Sequence, residues 1–147
     1  MFSRLIFELP IKTVSEANAS EHWTVKSRRH HSQQRIIRYA MAKHADVIRV
    51  PCTVRLIRVS PGLLDSDNLL TAFKWIRDEI SELILPDKKK SYTSGHGKTV
   101  SLKGRCDDDP RITWQYDQCK GRVYAVLIEI IFPDETTCSS LDHKSQA

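Results

Sequence analysis

The chain has 147 residues, 40% of them hydrophobic, and its 23 Lys+Arg against 18 Asp+Glu give a formal charge of +5 and a pI near 9.1. That length fits one domain with a real core, and no run approaches the ~18 apolar residues of a membrane span. The basic balance favours a polyanionic partner, with the distribution of charge mattering more than its total, while Cys52, Cys106, Cys119 and Cys138 form no Cys-x-x-Cys pair and read as free thiols rather than a zinc site.

In chain order, Phe2 to Leu9 reads as a first strand closed by Pro10. The opening MFSRLIFELPIK holds too short an apolar run for a signal peptide, so a cytoplasmic location is expected. Ile11 to Trp23 is polar, turn-rich and aperiodic, hence a loop. From Ser27 to His44 the pattern is helical, with Ile36, Ile37, Ala40 and Met41 inward and Arg28, Arg29, Arg35, Arg38 and Lys43 pointing elsewhere. Thr53 to Ser60 is β-branched and apolar, a strand, and Pro61-Gly62 turns the chain into GLLDSDNLLTAFKWIRDEI. There Leu69, Phe73, Ile76, Ile80 and Leu83 recur at spacings of four, three, four and three, the stripe of a core-facing helix that Pro86 stops.

Residues 87–105, DKKKSYTSGHGKTVSLKGR, show no apolar period beyond a short Val100–Leu102 strand. They hold Lys88, Lys89, Lys90, Lys98, Lys103 and Arg105 against Asp87 alone, a net +5 equal to the excess of the whole chain. Then Ile112, Trp114 and Tyr116 alternate as a strand, Lys120-Gly121 makes a turn, and Val123 to Phe132 forms the last strand, which together predict a β-hairpin. The polar tail 134–147 is short of core-formers and is expected to be disordered. The order β-α-β-α-insertion-β-β predicts one α+β domain over 1–133, two main helices over a mixed sheet, with 87–105 as a basic insertion.

Two acidic groups stand at the ends of these elements. Asp65, Ser66, Asp67 and Asn68 crowd the start of the second helix, where one acid suffices as a cap and two adjacent carboxylates repel unless a cation lies between them. Asp107 to Asp109 stand before a strand. Three carboxylates from two segments suit Mg²⁺, which takes oxygen ligands and would serve phosphodiester hydrolysis. The competing account is a helix cap plus a polar turn.

Asp65-Ser66-Asp67-Asn68-Leu69 at the head of a helix, Asp108-Asp109 before a strand, and Leu9-Pro10 ending the first strand resemble the RusA-type Holliday junction resolvases, over roughly residues 2 to 132. The resemblance implies a RusA-like fold and a homodimeric crossover junction endodeoxyribonuclease of a phage or prophage, dependent on Mg²⁺ or alternatively Mn²⁺. Such an enzyme nicks four-way DNA junctions in symmetric strands during recombination and repair, with no organic cofactor. The family's catalytic and metal-binding acids fall on Asp65, Asp67 and Asp109, with Asp108 a further metal ligand. Two departures stand out: the family's lysine six residues after the first acid is Thr71 here, and the usually short loop before the Asp-Asp step is the basic insertion.

Lys74 is the candidate replacement, since Asp67, Thr71, Lys74 and Asp78 share one helical stripe, and the alternative is an ordinary Lys74–Asp78 surface pair. Candidate DNA-binding residues are Arg28, Arg29, Arg35, Lys88, Lys89, Lys90, Lys98, Lys103 and Arg105, because Lys and Arg neutralise phosphates; His30 and His31 adjoin them. Trp23 and Tyr92 are candidates to stack on exposed bases, whereas Trp75 and Trp114 are expected to pack. Competing functions are a catalytically silent DNA-binding protein of the same fold and a nuclease for flaps or forks.

Overall fold

The computed structural model describes residues 3–86, 90–93, 95–102 and 106–133, with the backbone alone described at 90–93 and 99–102. Its elements are β1 (Arg4–Leu9), α1 (Trp23–Ala42), β2 (Cys52–Ser60), α2 (Ser66–Ile84), β3 (Lys90–Thr93), β4 (Thr99–Leu102), β5 (Ile112–Lys120) and β6 (Ala125–Ile131). β1, β6, β2 and β5 form one sheet in that order; β1–β6 and β6–β2 are antiparallel and β2–β5 parallel. This is an α+β fold with a mixed sheet and two main helices. Among the described residues no helix is long and apolar enough to cross a membrane.

Strand alternation explains which face the helices cover. Leu5, Ile130, Val54 and Trp114 lie in one cross-strand row, Phe7, Ile128, Leu56 and Tyr116 in the next, and Leu9, Val126, Arg58 and Gln118 in a third. Phe73, Ile76 and Ile80 of α2 and Ile37 and Met41 of α1 close over these rows, all at 0–1% exposure. Each such side chain contributes roughly 1.5–3 kcal/mol relative to an exposed one. The opposite face carries a charged ladder, with Arg4 to Glu129 at 3.0 Å, Arg55 to Glu129 at 3.6 Å and Arg55 to Asp117 at 2.7 Å.

Three expectations are corrected. First, α1 begins at Trp23 rather than Ser27, with the His22 ring accepting from Thr24 N. Its first turn shows no apolar period because Trp23 and Val25 face solvent, at 71% and 44% exposure. Second, β5 and β6 are not a hairpin. The chain leaves β5, crosses the end of β2 and returns as β6 on its far side, with Gly121 N donating to Ser60 O at 3.1 Å. Third, the 87–105 segment contains two strands, β3 as well as β4, paired antiparallel as a separate sheet around a turn in which Gly97 has φ 75°. Their Tyr, Thr and Val content suits strands. Lys88, Lys89, Lys103, Arg105 and the tail 134–147 lie outside the described residues.

Candidate acidic cleft and its basic surroundings

The D-x-D-N-L segment is built as a rigid helix start. Asp65 is the N-cap of α2, and its Oδ1 accepts from Asn68 N at 2.9 Å. Asp67 lies exposed in the first turn, where a negative charge complements the helix dipole. Asn68 Oδ1 accepts from Ser15 Oγ at 2.6 Å and Asn18 Nδ2 at 2.8 Å. Just before the helix, Gln118 of β5 holds Leu64 on both sides, its Oε1 accepting from Leu64 N at 2.9 Å and its Nε2 donating to Leu64 O at 2.6 Å. Arg58 of β2, 6% exposed, donates to Gly62 O, Thr13 Oγ1 and Ser60 Oγ at 2.7, 2.9 and 3.0 Å.

Asp109 sits at the other end of the molecule. β2 and β5 start together at Cys52 and Ile112 and finish together at Ser60 and Lys120. Asp109 precedes that start, and Asp65 follows that finish. From Ile112 to Gln118, which holds the chain beside Asp65, is six strand residues or about 20 Å. Asp109 is 3% exposed and spent on its own turn: its Oδ1 accepts from Arg111 N at 3.0 Å and Nε at 3.1 Å, and its Oδ2 from Arg111 Nη2 at 3.2 Å. Asp108 is exposed in the same turn. The expected set of Asp65, Asp67, Asp109 and Asp108 is therefore not assembled within one chain, and among the described residues no three His, Cys, Asp or Glu side chains are placed to ligate one ion. Within one chain these residues are not placed to share a Mg²⁺. The cause is the parallel pairing of β2 with β5, which sends an acid after one strand and an acid before the other to opposite ends of the strands.

What the fold does bring together is a different acidic group. α2 runs back across the sheet until Leu85, whose carbonyl accepts from the Cys106 thiol at 3.9 Å, so the residues after Cys106 lie beside its C-terminal half. A cleft of about 430 Å³ opens there, lined by Lys74, Trp75, Asp78, Glu79 and Glu82 of α2, His30 and Gln34 of α1, and Asp107. Asp107 is held by Arg77, whose Nε approaches Oδ2 at 3.2 Å and whose Nη2 donates to the Asp107 carbonyl at 3.0 Å. Trp114 Nε1 donates to the same carbonyl at 2.9 Å, and Arg77 Nη1 donates to Tyr116 Oη at 2.7 Å.

The four carboxylates of the cleft differ in how they are matched. Glu79 pairs with Arg38 of α1. Asp78 is pushed up to about 6, by burial first, then by the charge of Asp107, with Lys74 and Arg77 opposing and Glu82 adding to the rise. Glu82 is 4% exposed, and neither of its carboxylate oxygens has a hydrogen-bond partner. Lys74 is exposed and makes no close ion pair among the described residues, so of the two readings the Lys74–Asp78 pair is present only as a longer-range attraction that opposes the rise of Asp78. On the α1 side His30 stacks on Trp75 at 4.5 Å and 20°. Asp78 and Glu82 were legible as continuations of the Lys74 stripe, four residues apart; the burial of Glu82 was not, because it depends on tertiary packing.

The expected DNA-binding residues are placed unevenly. Arg28 and Arg35 are exposed on α1, and Arg35 joins His31, Arg38 and Tyr39 around a shallow depression of about 550 Å³. Arg29 pairs with Glu16 and Glu21 at 2.8 Å each, and the Glu16 hydrogen bond raises its pKa above the ordinary value. Lys98 is exposed beside the β3–β4 turn, and Lys90 opens β3. Trp23 stands in solvent as a stacking residue requires, while Trp75 and Trp114 are half-buried. Compared with family models, curated proteins and solved structures, the chain matches none.

Proposed function

We propose that the chain is a structure-selective DNA endonuclease that hydrolyses phosphodiesters in branched DNA, four-way junctions above all, as a divalent-metal-dependent homodimer acting in the cytoplasm. The observation that supports this reading best is the cleft itself, where the exposed Lys74 stands among carboxylates between α1 and α2. Arg28 and Arg35 suit phosphate gripping, which supplies most non-specific DNA affinity. Lys74 suits stabilisation of charge building on a phosphoryl oxygen. Two symmetric nicks in one junction require two such clefts at fixed separation, hence a dimer, and a monomer mass by light scattering alongside coordinated symmetric cleavage would count against it.

The test is incubation with a labelled four-way junction, a fork, a linear duplex and a single strand, with Mg²⁺, with Mn²⁺ and with EDTA. Paired nicks confined to the junction and dependent on metal are expected, with Lys74→Ala slowing them about a hundred-fold at nearly unchanged junction binding. A second reading, a catalytically silent DNA-binding protein, is favoured by the separation of Asp65 and Asp67 from Asp109. Tight junction binding without nicking in either metal would select it.

A further inference from the structure

We propose that β5 is an interface for a second copy of this chain: two β5 edges join antiparallel about a twofold axis at Gln115, making one continuous sheet of eight strands. The proposal rests on the homodimer of the endonuclease reading for its use; the interface itself is read from the edge strand. β5 ends the strand order β1-β6-β2-β5 and has nine residues. Arg111 O accepts from Cys52 N at 3.0 Å and Gly121 N donates to Ser60 O at 3.1 Å, so the odd-numbered residues turn their backbone groups towards β2. Those of Ile112, Trp114, Tyr116 and Gln118 therefore point away from the sheet.

Two of these outward N–H groups are already taken. Ile112 N donates to Asp109 O at 3.1 Å and Gln118 N to Asp117 Oδ1 at 2.8 Å, whereas Trp114 N and Tyr116 N have no partner among the described residues. An edge in that state is a template for another strand, and proteins commonly guard it with Lys, Pro or a bulge. From Thr113 to Gln118 β5 contains neither Lys nor Pro, its register on β2 is unbroken, and its one charge, Asp117, is matched by Arg55 at 2.7 Å.

A second copy fits this edge because the strand complements itself. With the axis at Gln115, Trp114 and the partner's Tyr116 exchange both backbone hydrogen bonds, and symmetry repeats the exchange, so every free N–H is used. On the exposed face Gln115 meets the partner's Gln115, amide to amide, and the Thr113 hydroxyl meets the partner's Asp117. An axis at Tyr116 would oppose Trp114 to the partner's Gln118, whose N–H is spent, and an axis at Asp117 would oppose two carboxylates. The Gln115 register also sets Ile112 opposite the partner's Gln118, the residue that holds Leu64. The Asp109 turn of one protomer and the partner's Asp65 thus stand at the same end of the joined sheet, although the two acids lie apart within a chain.

The experiment is sedimentation equilibrium of the full chain, free of DNA, for the parent, Gln115→Lys, Gln115→Glu and the two variants mixed. The parent is expected to be a dimer. Each variant alone should raise the dissociation constant about ten-fold or more with its circular dichroism unchanged, and the mixture should regain the dimer, since Lys then faces Glu. In a background of Cys119→Ser and Cys138→Ser, oxidation of Gln115→Cys should cross-link the dimer, because a directly opposed pair of this kind has Cα atoms ~4.5 Å apart, within disulfide reach. Thr113→Cys should not cross-link, its two copies standing about 14 Å apart across the axis. A parent that is monomeric throughout its soluble range, a dimer that both charge variants leave intact, or no cross-link from Gln115→Cys would overturn the interface. A dimer with these losses but without junction cleavage would keep the interface and refute the endonuclease; junction cleavage by a dimer that Gln115→Lys leaves intact would do the reverse.

Discussion

Asp78 holds its proton more tightly in the folded chain than in the unfolded one, because burial and the charges of Asp107 and Glu82 lift it from 3.8 to about 6. A carboxyl with a raised folded pKa contributes its full stability below the unfolded value, and loses it as the pH climbs through the folded one. Between pH 4 and 6 the native state therefore gives up stability that Asn would not. In EDTA, Asp78→Asn should be more stable than the parent at pH 7–8, with the gain fading below about pH 4. The gain should be about 1 kcal/mol, well under a full conversion of the shift, since the carboxyl is partly exposed and screened. Urea titrations across that range check it, and an equal gain at pH 3.5 and pH 8 would remove the electrostatic explanation. At this scale Asp65 was legible in the sequence, because a cap depends on the residues beside it. What was not legible is that Asp65 and Asp109 lie apart, because that follows from the parallel pairing of β2 with β5, two strands more than fifty residues apart in the chain.

Gly121 is where the chain turns over the end of β2, and the space there explains the residue. A Cβ at this position would stand 2.6 Å from Val59 Cγ1, and Val59 is β-branched and stiff within β2. Gly121→Ala should cost about 1–3 kcal/mol by overpacking, measured by urea denaturation, and Val59→Ala added to it should recover part of the loss. Additive losses in the double variant would mean that the crossover, not the close approach to Val59, sets the cost. The elements themselves were legible to within a few residues, since periodicity is local: β2 alternates and α2 carries its stripe. Pairing is not local. Lys120-Gly121 has the composition of a hairpin turn, and only the nearly unbroken apolar run of β6, Ala-Val-Leu-Ile-Glu-Ile-Ile, marks a strand with neighbours on both sides.

Across the whole molecule, charge is divided by region. The 87–105 segment holds net +5, equal to the total, so the rest of the chain is formally neutral and sets an acid-lined cleft beside an arginine-bearing α1. That segment was legible as a charge block, but its β3–β4 pairing was hidden by the lysines that dilute its strand signals. DNA drawn to this protein would meet two basic surfaces, the segment and the exposed face of α1, and salt dependence tells them apart. For each phosphate that a variant no longer neutralises, the slope of log affinity against log salt falls by about 0.9 on duplex DNA. Lys88→Ala, Lys89→Ala and Lys90→Ala together should flatten the slope by up to about 2.7 and weaken all DNA shapes alike, since binding to phosphates carries no base information. Arg28→Ala with Arg35→Ala should flatten it by up to about 1.8. If the triple variant keeps the parental slope while the double variant shows its expected decrease, DNA lies along the exposed face of α1, and the basic segment serves something other than DNA affinity.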